Sequence, residues 1–432
     1  MVNLTLKRLF KNSSVLFGGS TIAGLMGLAS ISFTARSLGV EMLGVFAIIQ
    51  SYTIIIDRLV NFQCWQAIIK FGADLLKQDK KEELKSLVKF CTVLDIATAV
   101  AGCILAAVIV YFFGQWKQWH HQTIYAAMLY SLWILFNLKG TPIGLLRLFN
   151  KFKPIAAASI IAASLKLILA ICAYMFSGSL IIFVGIWVIA GLVESALLLW
   201  AGWQRVNKNT GGNFLKAKLN VIAKDKNIWK FTLYTNLNQS FRLASKEMDV
   251  LIIGTVLGTA ATGIYKVARQ FAWILAHLIE PVHQAIYPEL AYIIAEKRFL
   301  DLKHIMAKTS AAIGGISLLV WLIFVFFGKW ILNIAAGAEY AQAYGVMVIF
   351  MFAFVIWGFA FCLPAGLLAM GKAGKILLVQ TIALVAYLTV LYPLLVNIGL
   401  VGASIAQVIY FAVYSLFMLL FFVKSISKGN LC

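Results

Sequence analysis

The chain has 432 residues, of which 62% are hydrophobic and 12% charged, with 31 Phe and 12 Trp. A soluble domain carries about 25% charged residues, so a soluble globular architecture is excluded and a polytopic membrane protein is implied. The formal net charge of +21 does not mark a nucleic-acid binder, because the basic residues sit in short stretches between apolar runs rather than on one polar face.

A bilayer-crossing helix needs about 20 apolar residues, and with that window the chain offers about twelve crossings. Six lie near 13–35, 42–65, 90–113, 123–140, 154–176 and 179–202. A basic stretch at 206–230 separates them from six more, near 231–256, 262–285, 308–328, 343–367, 376–397 and 400–423. Polar residues interrupt the seventh and eighth. Lys7, Arg8 and Lys11 resemble the basic region of a signal peptide. The apolar run behind them is too long and has no small-residue cleavage site, so it reads as the first helix.

Loop charge sets the orientation. With the N-terminus inside, the cytoplasmic stretches hold 28 of the 37 Lys and Arg residues, and the outer loops hold only Arg36, Lys117 and Lys329. That asymmetry follows the positive-inside rule and places both termini in the cytoplasm. Cys64, Cys91, Cys103, Cys172, Cys362 and Cys432 lie in spans, near cytoplasmic ends or at the C-terminus, so no disulfide is expected. Their spacing matches no zinc site.

The chain repeats itself. Leu38-Gly39, Gly44 and Phe46 line up with Leu257-Gly258, Gly263 and Tyr265 at an offset of 219. Gln66-Ala67-Ile68 matches Gln284-Ala285-Ile286, and Pro142-Ile143-Gly144-Leu145-Leu146 matches Pro364-Ala365-Gly366-Leu367-Leu368, at nearly the same offset. An even number of spans per copy makes the repeats parallel. The expected architecture is all-α, with an N-lobe at 1–205, a cytoplasmic linker at 206–230 and a C-lobe at 231–432. Two parallel six-helix lobes point to a transporter, with substrate handled where the repeats meet.

Charges inside the spans mark the candidate site, since a charge at mid-bilayer costs about 2.5–3.5 kcal/mol on insertion scales. Asn238, Arg242 and Asp249 share a helix face, with Lys246 beside it and Glu247 turned away. In the next span Lys266, Arg269, Trp273, His277 and Glu280 form one stripe. Lys166 and Glu194 are isolated charges in the fifth and sixth spans, and Arg36 ends the first. Arg and Lys in such a cavity suit a phosphate-bearing substrate. Glu194, Asp249, His277 and Glu280 suit a coupling proton or Na⁺, or ion pairs that lock a lobe. Asp57 and Asp95 lie nearer cytoplasmic ends and read as solvated. No nucleotide-binding glycine loop, metal-ligand spacing or nucleophile–base pair is present, so neither enzyme chemistry nor a cofactor is expected.

Ala35-Arg36-Ser37-Leu38-Gly39-Val40-Glu41-Met42-Leu43-Gly44 resembles the signature that follows the first helix of bacterial polysaccharide flippases. These are the O-antigen and capsule repeat-unit translocases of the multidrug/oligosaccharidyl-lipid/polysaccharide exporter superfamily. Leu43 stands where an aromatic residue is usual. Asp249, Gly254, Gly258, Gly263, Tyr265 and Ala268, with the later Tyr287-Pro288 and Leu290, are also similar to that family. The resemblance implies a MATE-like fold in the bacterial inner membrane. It also implies translocation of an undecaprenyl-diphosphate-linked oligosaccharide, with Arg36, Lys166, Arg242, Lys246, Lys266 and Arg269 compensating the diphosphate. Expected partners are that substrate, membrane lipid, and polysaccharide polymerase and chain-length proteins, with the protein itself a monomer. The rival readings are a cation-coupled multidrug exporter of the same superfamily and a membrane glycan polymerase. The first helix lacks the acid that the exporter would favour, and the outer loops are too short for the polymerase.

Overall fold

The structure is a computed structural model that describes residues 2–62, 64–116, 119–219, 227–233, 235–236, 247–296 and 298–429. Side chains are described for the same residues except 2–17, several between 278 and 300, 373 and 426–429. The described residues are predominantly helical, with no strand among them.

Helices α1 (Val2–Val60), α2 (Trp65–Lys77), α3 (Lys81–Trp116), α4 (His121–Phe136), α5 (Gly140–Leu148), α6 (Lys153–Met175) and α7 (Leu180–Thr210) form the first copy. Helices α8 (Met248–Val256), α9 (Gly258–Ala295), α10 (Phe299–Ala335), α11 (Ala343–Ala360), α12 (Cys362–Ala369), α13 (Ala373–Ile398) and α14 (Leu400–Gly429) belong to the second. The chain packs as two compact units. The N-terminal unit is Ser14–Ser30 with Val45–Leu251, and the C-terminal unit is Met1–Ser13, Ile31–Gly44 and Ile252–Cys432.

Among the described residues, eight helices are long and apolar enough to cross a membrane. The sequence predicts twelve spans, and the seventh, 231–256, lies partly outside the described residues; the other three differences have visible reasons. The first two expected spans run together in α1, where Gly39 alone breaks the helix. Helix α4 has 16 residues, and α9 carries Lys266, Arg269, His277 and Glu280, which lower its apolarity.

The repeat is visible in the packing. In the N-terminal unit α3 packs on α4, α4 on α7 and α6 on α7, and in the C-terminal unit α10 packs on α11, α11 on α14 and α13 on α14. Gly39 and Gly258, which align in sequence, both adopt the left-handed region, with φ of 71° and 85°. Only glycine enters that region without a steric penalty. Gly44 and Gly263 meet backbone to backbone within the C-terminal unit. A Cβ on Gly44 would overlap the Thr259 carbonyl oxygen, and one on Gly263 would overlap that of Val40. The two contacts are each other's image under the repeat, and small residues permit this approach between membrane helices.

The copies differ most at one break. Helix α9 runs unbroken for 38 residues, whereas α1 and α2 are separate helices, with 61, 62 and 64 outside them. The other break, 137–139 between α4 and α5, is matched by the single turn residue Phe361 between α11 and α12. Non-helical backbone near membrane depth needs its polar groups satisfied by protein. One buried carboxylate, Asp95, accepts backbone amides at both breaks, and a second, Asp57, holds asparagine side chains there.

Candidate functional site

Asp57 and Asp95 are not solvated as the sequence suggested; they are 0% and 3% exposed. Asp57 accepts hydrogen bonds from Asn61 Nδ2 at 3.0 Å and Asn137 Nδ2 at 2.9 Å, and Arg58 Nε lies 3.8 Å away. Asp95 accepts from the Cys64 amide at 3.2 Å, the Thr141 amide at 3.0 Å and Thr141 Oγ1 at 2.8 Å. The two side chains clasp the ends of α1, α2 and α5 around both breaks. Sequence reasoning missed them because proximity to a basic loop was read as exposure. The available signal was that the aligned positions of the second copy, Ala276 and Gly314, carry no acid.

Beside these clasps the N-terminal unit brings Lys166 and Glu194 together. Two contacts fix the register of α6 against α7. Ser159 Oγ donates to Glu194 Oε1 at 2.9 Å, and Lys166 Nζ stands 5.2 Å from the centre of the Trp187 ring. Residues 159 and 166 lie two turns apart, as do 187 and 194, so the pairs stack on facing sides. Lys139, in the break after α4, is ion-paired with Glu194. Two ammonium groups therefore act on one carboxylate, and the cluster is net positive. Lys166 also reaches α1, where a Cβ on Gly27 would lie 4.0 Å from its Nζ. Cation–π contact holds an ammonium in place without neutralising it.

The Lys139–Glu194 pair is about four-fifths buried on both sides, and Lys166 shares the same carboxylate, so losing Glu194 strands two ammonium groups. Glu194→Ala is expected to destabilise the protein more than Glu194→Ala combined with Lys139→Ala, with a coupling of about 1–3 kcal/mol. A double-mutant cycle on thermal unfolding in detergent checks this, and additive effects would show that the pair is not a unit.

In the C-terminal unit the stripe of α9 forms a stacked column. The buried Arg269 places its guanidinium carbon 5.7 Å from the Trp273 ring centre. That ring lies 6.4 Å from His277 and 6.3 Å from Phe354 of α11. Lys266 is half-buried and His277 exposed. The Glu280 side chain lies outside the described residues, as do Asn238, Arg242 and Lys246 in full. Glu247 accepts from Ser51 Oγ at 2.9 Å. Asp249 is buried in the first turn of α8, where its carboxylate accepts the Val250 amide at 2.7 Å and complements the helix N-terminus.

Arg36 has a structural engagement that the sequence did not reveal. Its Nε donates to the Ala335 carbonyl at 3.1 Å, and its Nη2 to the carbonyls of Asn333 and Ile334. These carbonyls belong to the last turn of α10, its negative end. Tyr340 Oη donates to the Ala35 carbonyl at 3.2 Å, and burial, with Glu339 adding to it, pushes that phenol up, so it stays a donor. No cluster of His, Cys, Asp and Glu able to hold a metal occurs among the described residues.

The fold has solved counterparts. The chain is 15% identical to an inward-facing multidrug resistance MATE family transporter of the MOP superfamily, with a TM-score of 0.71 over 96% of this chain and 94% of that one. An outward-facing structure of such a transporter gives a TM-score of 0.65 at 15% identity, covering 99% and 97%. At these identities the likeness is one of fold. In sequence, the chain is 25% identical over 342 residues to the inner membrane protein YghQ of Escherichia coli (strain K12), spanning 79% of this chain and 96% of that protein. Residues 9–294, well over half of the chain, match the polysaccharide biosynthesis protein family, and on that match, which agrees with the motif resemblance, the chain belongs to that family.

Proposed function

We propose that the protein is a flippase of the bacterial cytoplasmic membrane. It carries an undecaprenyl-diphosphate-linked oligosaccharide repeat unit from the inner to the outer leaflet by alternating access of two lobes, 1–205 and 231–432. The observation that supports this most directly is the net-positive cluster of Lys139, Lys166 and Glu194, found in a family of polysaccharide biosynthesis proteins. A diphosphate entering the membrane loses its hydration, and preplaced ammonium and guanidinium groups offset that cost. Lys166 and Arg269 are each held against a Trp ring, which fixes a cation and presents an aromatic surface beside it. Arg36, Arg242, Lys246 and Lys266 complete the proposed cationic path. Glu194, Asp249, His277 and Glu280 would carry a coupling proton or Na⁺, or form ion pairs. A polymerase and chain-length proteins would take up the product.

Lys166→Ala and Arg269→Ala are each expected to cut surface polysaccharide about tenfold or more at matched membrane abundance, the scale of one charged hydrogen bond. Lipid-linked repeat units should accumulate on the inner leaflet, and Lys166→Arg should retain part of the output. Normal polymer in both alanine variants would sink the assignment. Loss of resistance to cationic dyes instead would transfer it to the multidrug reading, which the MATE-like fold leaves open.

A further inference from the structure

The stretch between the repeats does not behave as a plain connector. Helix α7 continues to Thr210, and 213–219 with 227–233 fold down onto the N-terminal unit. Phe214 and Ile228 are 1% and 4% exposed, and both pack into the cluster formed by Leu84, Leu87 and Cys91 of α3. The Asn213 side chain caps the short 3-10 turn Phe214–Lys216 by accepting the Leu215 amide at 2.9 Å. Lys89 Nζ donates to the Ala217 carbonyl at 2.9 Å. Trp229 meets Phe90 edge-to-face at 5.1 Å, and Phe231 packs on Phe71 of α2, 5.4 Å away.

With one side so anchored, the other side is amphipathic. Leu215 is 49% exposed, Trp229 41% and Leu233 44%, and Lys216, Lys218 and Lys230 are exposed among them. Trp229 sits against Phe90, just before the exposed apolar stripe Val93, Ile96, Val100 and Ile104 of α3. Such a stripe faces lipid. A Trp at its basic end stands where an indole lies at the headgroup level.

We infer that residues 213–219 and 227–233 form a headgroup platform on the cytoplasmic leaflet. Leu215, Trp229 and Leu233 enter the interface, and Lys216, Lys218 and Lys230 bind the phosphodiesters of anionic phospholipid. Charge complementarity names the occupant: three lysines interleaved with apolar side chains match a negatively charged bilayer surface, with each lysine worth about a fivefold gain in binding.

The test uses the full-length protein in neutral detergent. Added phosphatidylglycerol is expected to raise its melting temperature, and phosphatidylcholine to leave it unchanged. Lys216→Gln/Lys218→Gln/Lys230→Gln should need about a hundredfold more phosphatidylglycerol for the same shift, and raised salt should mimic the variant. Lys218→Gln alone should need about fivefold more, which keeps the test decisive if the triple variant folds poorly. Unchanged titrations in these variants would overturn the platform. An equal shift with inorganic pyrophosphate would also overturn it, by showing that the lysines read free phosphate rather than a bilayer.

Discussion

Gly263→Ala is expected to cost about 3 kcal/mol of stability, and Gly263→Val to leave little folded protein in the membrane. Overpacking a core ordinarily costs about 1–3 kcal/mol because a neighbouring side chain yields. Here the obstacle is the Val40 carbonyl oxygen, with Gly44 N 3.1 Å from the added carbon, so two helix backbones would have to separate. The same argument runs in reverse for Gly44, whose added Cβ would overlap the Thr259 carbonyl and lie 3.0 Å from Gly263 N. Gly44→Ala should therefore cost as much as Gly263→Ala. The double variant should cost less than the sum, because one separation relieves both. Gly185 is the control, a helical glycine with nothing within 4 Å of its added Cβ. Gly185→Ala should be neutral or stabilising by about 0.5–1 kcal/mol. Thermal unfolding of the purified variants and their abundance in membranes are the measurements. A Gly263→Ala protein as stable as Gly185→Ala would show that the two helices do not cross this closely.

That crossing was half legible. The offset of 219 between Leu38-Gly39…Gly44 and Leu257-Gly258…Gly263 marked the glycines as equivalent, and apolar length with loop charge marked the all-helical membrane fold. Contact between the equivalent glycines could not be read, because sequence identity says nothing about which symmetry-related surfaces touch. The candidate site divides in the same way. Stripe spacing placed Arg269, Trp273 and His277 in one column, since a 3.6-residue period fixes which side chains stack. It could not pair Lys139 with Glu194, because Lys139 lies in a break between two helices and helical periodicity ends there. Asp57 and Asp95 were hidden for a related reason. Their partners, Asn137 and Thr141, lie 80 and 46 residues away, and hydropathy does not say where a helix will stop.

Those two carboxylates make a prediction that separates them. Asp95→Asn is expected to cost about 3 kcal/mol or more, and Asp57→Asn about 1 kcal/mol or less. Both substitutions are isosteric, so the difference lies in what each carboxylate accepts. Asp95 takes the Cys64 amide on one oxygen and the Thr141 amide and hydroxyl on the other. Backbone N–H groups cannot become acceptors. An asparagine there must aim its NH₂ at one of these donors, leaving buried donors unsatisfied at about 1–3 kcal/mol each. Asp57 is met by the side-chain amides of Asn61 and Asn137. Either amide can turn its oxygen toward a new NH₂, so the substitution keeps its hydrogen bonds and loses mainly the charge facing Arg58 at 3.8 Å. Thermal unfolding of the two variants in the same detergent decides it, and equal losses would mean that charge rather than donor geometry holds the breaks. If Asp95→Asn alone fails, the clasp from α3 to α2 and α5 is set by backbone donors that only a carboxylate can serve. The broken helices of the first copy would then depend on an acid for which the unbroken α9 has no need.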